Sequence, residues 1–349
     1  MIYEESLKKE EIKKRRRQHG FAQDWLIEIF IWEFEVLNRL GKNFILKGGA
    51  ATQLFLPLKD QRASVDIDVV TDLSKSGIER VFTDMKEFKV KKHIPKAFNQ
   101  NLPLVTYLIK VPSVTRGGLT IKVDVLIEKD TPFIEIREKN LFALTARNVR
   151  CIPKSYLIAE KFLTLAINTI GIPTNRKEQI PKHIYDLIKL TEKIDLKAFS
   201  EIPHHMNQIV KRESRYKGAR YETPKIIDDI NKTIERYVKL EPEIKKDVFD
   251  FQSIYINRLN RMRLSEWKLN LLRTKYLLDM IGNSIRDKNP KKNLGEYEKT
   301  IKKMVEIKGL DREAKKDMKE RLLKKIREEH RKRLKGASIE RIYLELKTT

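Results

Sequence analysis

The chain has 349 residues, 40% of them hydrophobic and 35% charged, and a formal net charge of +25. That length can bury a sizeable core and suffices for two domains. Low glycine and proline counts, 13 and 12, argue against a turn-rich all-β fold and favour long helices. The positive excess attracts polyanions, nucleic acid first among them, although the solvated Lys/Glu faces of lysine-rich or heat-adapted proteins add charge of the same kind.

Cys151 is the single cysteine, so no intrachain disulfide framework or cysteine-based metal centre can form, and a reducing cytoplasm fits best. The basic run at 13–17 precedes an apolar stretch, but Asp24, Glu28, Glu33 and Glu35 interrupt it. It is too charged for a signal peptide or a membrane span.

In chain order, residues 1–18 read as a charged helix. Between 23 and 40, Leu26, Ile29, Phe30, Phe34 and Leu37 recur at helical spacing. A short apolar strand at 44–47 runs into Gly48-Gly49 and a short helix at 50–56, which Pro57 ends. A strand at 64–71 follows, then a helix at 76–88 and strand-like runs at 104–111, 119–128 and 131–136. Another helix begins at Pro153, with proline in its first turn. A looser basic segment at 171–182 leads to a helix at 183–194. From 195 onward the pattern is helical, with breaks expected at Pro203, Pro224, Pro242 and Pro290. The composition shift predicts an α+β domain over 1–195 and a basic all-helical domain over 196–349. Residues 311–335 carry about twice as many basic as acidic residues and read as a solvated or polyanion-facing helix.

The most informative stretch is 44–72. Asp66 and Asp68 alternate with Val65, Ile67 and Val69 on one strand, so the two carboxylates share a face. Side by side they repel unless a cation sits between them, and hard oxygen ligands suit Mg²⁺ or Mn²⁺. The glycine turn upstream lets backbone N–H groups approach phosphate. Together these parts predict metal-dependent phosphoryl or nucleotidyl transfer.

Asp124, on a strand rich in β-branched residues, is a third carboxylate for a two-metal site; its alternative is a pairing with Lys122 or a distant arginine. Lys161 falls between Leu157 and Leu165 at i, i+4 and i+8, within an apolar stripe. It either neutralises a triphosphate or snorkels to water. Asp186 either orients Lys161 or a nucleotide, or forms a surface pair with Lys182 or Lys189. Arg62 and Ser64 either hold phosphate or structure the turn before the aspartate pair. No Walker, dinucleotide-binding, HExxH or GxSxG motif is present.

In this order, KGG-A-A-x-x-L, R-x-S-x-D-I-D, K-V-D, A-E-K-F and Y-D-L, the motifs resemble those of the AbiEii/AbiGii nucleotidyltransferase toxins of the DNA polymerase β-like nucleotidyltransferase superfamily. The resemblance covers about residues 40–195. It implies a nucleotidyltransferase-fold mixed sheet with flanking helices, Gly48 and Gly49 as the nucleotide-binding turn, and Asp66, Asp68 and Asp124 as metal-binding acids. It further implies Lys161 as the catalytic lysine and Asp186 as the late aspartate. The implied activity is transfer of NMP from NTP, with Mg²⁺ or Mn²⁺, to RNA such as the tRNA 3′ end, countered by an antitoxin. Two departures stand out. Ala50 replaces the usual Thr or Ser after the glycines, and Lys182-His183 replaces a basic–Asp pair before the last motif. Two rival expectations are the same chemistry on a protein or small-molecule hydroxyl, which the positive charge disfavours for cationic substrates, and a catalytically silent nucleic-acid or partner binder.

Overall fold

A computed structural model describes residues 3–93, 103–137, 147–328, 331 and 334–348. Their packing divides into two compact units, Met1–Leu157 with Lys246–Arg261, and Ile158–Lys245 with Met262–Thr349. Residues 158–195, expected with the α+β domain, cluster with the helical unit instead, and a C-terminal segment joins the first unit.

In the first unit, helices α1 (Lys9–His19) and α2 (Asp24–Leu40) precede strand β1 (Ile45–Lys47), helix α3 (Gly48–Leu54) and strand β2 (Asp66–Thr71). Helix α4 (Lys75–Thr83) and strands β3 (Lys89–His93), β4 (Leu104–Val111), β5 (Leu119–Ile127), β6 (Ile134–Arg137) and β7 (Asn148–Cys151) follow. Among the described residues the strands form one mixed seven-stranded sheet in the order β3-β4-β5-β2-β1-β7-β6. β2 runs parallel to β5 and antiparallel to β1. The central strands place Ile67, Val69, Val123 and Val125 in a core where each is fully buried, as β-branched residues on a covered sheet face require.

Helix α2 is buried over most of its circumference, including all five residues of its predicted stripe. Of the four acids that interrupt the apolar stretch, Glu28, Glu33 and Glu35 are buried as well, and Asp24 is partly exposed. Glu28 accepts hydrogen bonds from Ser113 Oγ at 2.7 Å and Val114 N at 2.7 Å, which ties the β4–β5 loop to the helix. Glu35 accepts from the Tyr3 amide at 3.1 Å.

The remaining differences have local causes. The helix expected at 76–88 ends at Thr83, and its N-terminus is capped by Ser74, which accepts from the Gly77 amide at 3.2 Å. β3 and β7 have no long apolar alternation. β3 is a lysine-rich edge strand, the kind of edge that resists further pairing.

The second unit contains most of α5 (Lys154–Thr164), then α6 (Ile180–Thr191), α7 (Leu196–Lys217) and α8 (Thr223–Lys239). Helix α9 (Pro242–Tyr255) contributes its residues 246–255 to the first unit. α10 (Leu264–Asp287), α11 (Pro290–Gly309), α12 (Arg312–Lys324) and α13 (Ile339–Thr348) complete the second unit. α10 packs against α6, α7, α8, α11 and α13, with Trp267 and Tyr276 fully buried on it. Pro224, Pro242 and Pro290 stand in first turns, as expected. Pro203 does not break α7. The helix forgoes one backbone hydrogen bond, and the continuous stripe Phe199, Ile202, Met206, Ile209 and Val210, all buried, holds it straight through. In the basic stretch 311–335, α12 is largely exposed apart from Leu322; residues 329, 330, 332 and 333 lie outside the described residues. No helix among the described residues is long and apolar enough to cross a membrane.

Candidate active site

Strand alternation sets Asp66 and Asp68 on one face of β2 while Ile67 and Val69 enter the core. In register, Asp68 lies opposite Asp124 on β5 and Lys47 on β1, and Asp124 lies opposite Thr106 on β4. Directly opposed residues share a face, so Lys47, Asp68, Asp124 and Thr106 form one row across four strands. Asp66 stands in the next row, opposite Lys122.

The row is electrostatically uneven. Burial and the charges of Asp124 and Asp66 push the Asp68 carboxyl from 3.8 up to about 6, against the opposing pull of Lys47 and Lys122. Asp124 is better compensated. Thr106 Oγ1 donates to its Oδ1 at 2.7 Å and Lys122 Nζ to its Oδ2 at 2.5 Å, so the Lys122 pairing left open by the sequence is realised. Burial alone would lower the Lys122 pKa, but Asp124, Asp66 and Asp68 hold it above the ordinary lysine value. Among the described residues, no three His, Cys, Asp or Glu side chains converge into a metal-binding group. The three acids share a face without closing a cage.

The glycine turn sits directly on this row. Gly48 has φ +69°, in the left-handed region, and a Cβ there would lie 1.9 Å from Asp68 Oδ2. Only glycine lets the backbone come this close. A Cβ on Gly49 would meet Arg62 Nη2 and Ser64 Oγ, each at 3.2 Å. Both partners are buried, Arg62 at 4% and Ser64 at 5% exposure. Arg62 Nη1 donates to Ala63 O at 2.8 Å. Of the two readings of Arg62 and Ser64, the geometry favours bracing the turn.

Gln53 completes the brace. Its Oε1 accepts from the Arg62 amide at 2.8 Å, its carbonyl accepts from Gln61 Nε2 at 2.8 Å, and its Nε2 donates to Gly49 O at 3.1 Å. Ala50 is almost fully buried, and Thr52 Oγ1 donates to Gly48 O at 2.9 Å. The C-terminal segment of this unit adds a further support, with Tyr255 O accepting from the Ala63 amide at 3.3 Å.

Glu33 is the main residue that the motif reading passed over. It is 1% exposed, and neither carboxylate oxygen has a well-formed hydrogen bond. Burial, then the charge of Asp66, push its carboxyl well above the carboxylate range, while Arg62 and the Ser64 hydroxyl pull it back. It therefore shares its surroundings with both the brace and the aspartate pair. The available signal was its place between Ile29 and Leu37 at i, i+4 and i+8, the same in-stripe spacing that singled out Lys161. Lys47 and Thr106 were missed because strand register decides their neighbours.

Lys161 and Asp186 belong to the second unit. Lys161 Nζ and Asp186 Oδ2 are 2.6 Å apart, with side chains 5% and 0% exposed. Snorkelling of Lys161 and a surface pair for Asp186 are both overturned. Asp186 is a buried partner of Lys161, and Lys189 lies 2.9 Å from Glu192.

No curated protein sequence matches the chain. Among solved structures, JHP933 from Helicobacter pylori aligns with a TM-score of 0.42 at 15% identity, covering 83% of this chain and 99% of that chain. MenT4, a nucleotidyltransferase toxin from Mycobacterium tuberculosis H37Rv, aligns with a TM-score of 0.39 at 11% identity, covering 68% and 92%. The family profile described as "Nucleotidyl transferase AbiEii toxin, Type IV TA system" matches residues 33–337, most of the chain. With that span, the chain belongs to the AbiEii family and is a nucleotidyltransferase toxin of a toxin–antitoxin system.

Proposed function

We propose that the protein transfers NMP from an NTP to an RNA 3′-hydroxyl, with tRNA as the acceptor, in the cytoplasm where both substrates reside. The family implies the NTP substrate and an antitoxin partner. The observation that carries the reading is the placement of Gly48 against Asp68 within the Lys47–Asp68–Asp124–Thr106 row. A backbone turn able to approach phosphate and a face of carboxylates lie side by side there.

Two carboxylates of this face have the chemistry that suits a hard divalent cation. Asp66 and Asp68 offer carboxylate oxygens from one rigid strand face, and Asp68 is incompletely compensated. Asp66 and Asp68 would hold Mg²⁺ or Mn²⁺, with Asp124 the third acid that the family motif implies. Bound there, the cation would lower the charge barrier between the attacking oxygen and the triphosphate. The chain's own residues do the remaining work. The turn at Gly48 and Gly49 receives phosphate oxygens through backbone N–H groups, and Arg62, Ser64 and Gln53 fix its position. The 3′-oxygen attacks the α-phosphorus, the bond to the β-phosphate oxygen breaks, pyrophosphate leaves, and the hydroxyl proton passes to solvent. Lys161 is the proposed catalytic lysine on its motif, oriented by Asp186. The net charge of +25 supports a polyanionic acceptor.

The test incubates purified protein with Mg²⁺, each labelled NTP in turn, and total tRNA. Labelled RNA in wild type, absent in Asp66→Ala, is the expected result. No labelled RNA with any NTP overturns it.

A further inference from the structure

Helix α7 ends in a left-handed residue, Gly218 with φ +61°, and the chain reverses through residues 218–222 into α8. The Tyr221 amide donates to Ser214 Oγ at 3.2 Å and pins this loop to α7. Beside it, within the second unit, lies a cleft of about 720 Å³. That falls inside the range of roughly 300–1,000 Å³ usual for small-ligand sites.

The lining combines three kinds of surface. Val210 and Ile285 supply an apolar floor, Tyr221 an aromatic side, and Lys211, Arg215 and Arg220 the cations. Among the described residues these three cations have no side-chain hydrogen bond or ion pair, whereas neighbouring Arg212 is engaged by Glu213 at 3.0 Å and Glu160 at 4.0 Å. The single acid of the lining, Glu222, pairs with Lys225 at 3.9 Å. Three uncompensated cations facing one concavity repel one another, a cost that an anionic ligand removes. A bare phosphate would use the cations but not the apolar floor or the ring. A flexible acidic peptide would use the cations but gain little from a stacking surface. A nucleotide uses all three, with its base against Tyr221 and its phosphates on arginine forks.

We propose that this cleft binds a single-stranded nucleotide segment of RNA, and so gives the helical unit the task of holding the acceptor. The proposal rests on RNA being the acceptor in the reading above. Stacking and backbone contacts give such a site little sequence preference and a strong salt dependence.

The test measures fluorescence anisotropy of a labelled single-stranded RNA octamer on the full-length protein across a potassium chloride series. The variants are Lys211→Ser/Arg215→Ser/Arg220→Ser and Tyr221→Ala. The triple variant is expected to weaken binding about tenfold or more and to flatten the slope of log Kd against log salt. Tyr221→Ala is expected to weaken binding about fivefold or more at every salt, with the slope kept. Both should retain the thermal shift that NTP gives the wild type. Wild-type RNA affinity in the triple variant overturns the proposal, and so does an inert Tyr221→Ala. A poly-glutamate peptide that displaces the RNA at equal concentration also overturns it and assigns the cleft to an acidic protein segment. RNA bound through these residues without any label transfer supports the cleft while removing the RNA-acceptor reading.

Discussion

A Cβ placed on Gly48 would lie 1.9 Å from Oδ2 of Asp68 and 2.7 Å from its Cγ. Two motifs that are separate in sequence, the glycine turn and the aspartate pair, therefore form one object. The turn adopts a left-handed φ, and the carboxylate occupies the space a side chain would need. Gly48→Ala must strain the backbone, at a cost of about 1–3 kcal/mol, and push Asp68 aside. A displacement near 1 Å costs transfer about 100-fold. Gly49→Ala meets only side chains at 3.2 Å and is expected to be milder. Rates of label transfer and melting temperatures for the two variants check this; a Gly48→Ala protein with wild-type rate would refute the coupling.

Asp68 sets a second expectation. Its carboxyl has a higher pKa in the folded chain, about 6, than the 3.8 of an unperturbed aspartate. The native state therefore binds this proton more tightly than the unfolded state. Stability attached to it is fully present below about pH 4 and is lost as pH rises through about 6. The rise is worth about 3 kcal/mol between the two protonation states. In metal-free buffer, Asp68→Asn should flatten the decline between pH 4 and pH 7 and should be more stable than wild type at pH 7. Urea midpoints at the two pH values measure it. Equal pH slopes in both proteins would count against Asp68 as the titrating group.

Glu33 is buried with no well-formed hydrogen bond to either carboxylate oxygen among the described residues. Burial, then the charge of Asp66, hold its carboxyl well above the carboxylate range, so this site favours the neutral form more than an exposed glutamate does. Glutamine has the same shape without the charge, so Glu33→Gln should stay within about 1 kcal/mol of wild-type stability. Glu33→Ala leaves a cavity behind the Ser64–Asp66 segment and should cost about 2–3 kcal/mol. Thermal unfolding at pH 7 and 8 separates the cases. A large loss in Glu33→Gln would mean an ionised carboxylate bound to Arg62.

These cases show what one sequence makes legible. The aspartate pair could be read because strand alternation is local: Asp66 and Asp68 share a face whatever the rest of the chain does. Strand β4 likewise falls at 104–111, as its apolar run indicated. Register is a different matter. Nothing local says that Asp68 faces Asp124 on one side and Lys47 on the other, or that Thr106 closes the row. Burial of Arg62 was hidden too, because its brace uses Gln53 from a neighbouring helix and Tyr255 from far along the chain. The same distance effect kept segment 246–261 out of the predicted N-terminal domain. Pro203 was misread because tertiary packing of an apolar stripe outweighed a local rule.

Lys161 and Asp186 bring out the last contrast, between scaffold and chemistry. Their ion pair is 2.6 Å long with both side chains buried. Removing one member strips the other buried charge of this close partner, so Lys161→Met or Asp186→Leu alone should cost about 3–5 kcal/mol. Replacing both with apolar residues removes both charges at once, and such exchanges are often close to neutral. Lys161→Met/Asp186→Leu should therefore regain most of the lost melting temperature. If the lysine also serves the transfer reaction, as its motif implies, the refolded double variant stays inactive. Chemical denaturation and label transfer, measured on the same four proteins, resolve the two roles. Recovery of activity together with stability would reduce the pair to scaffolding.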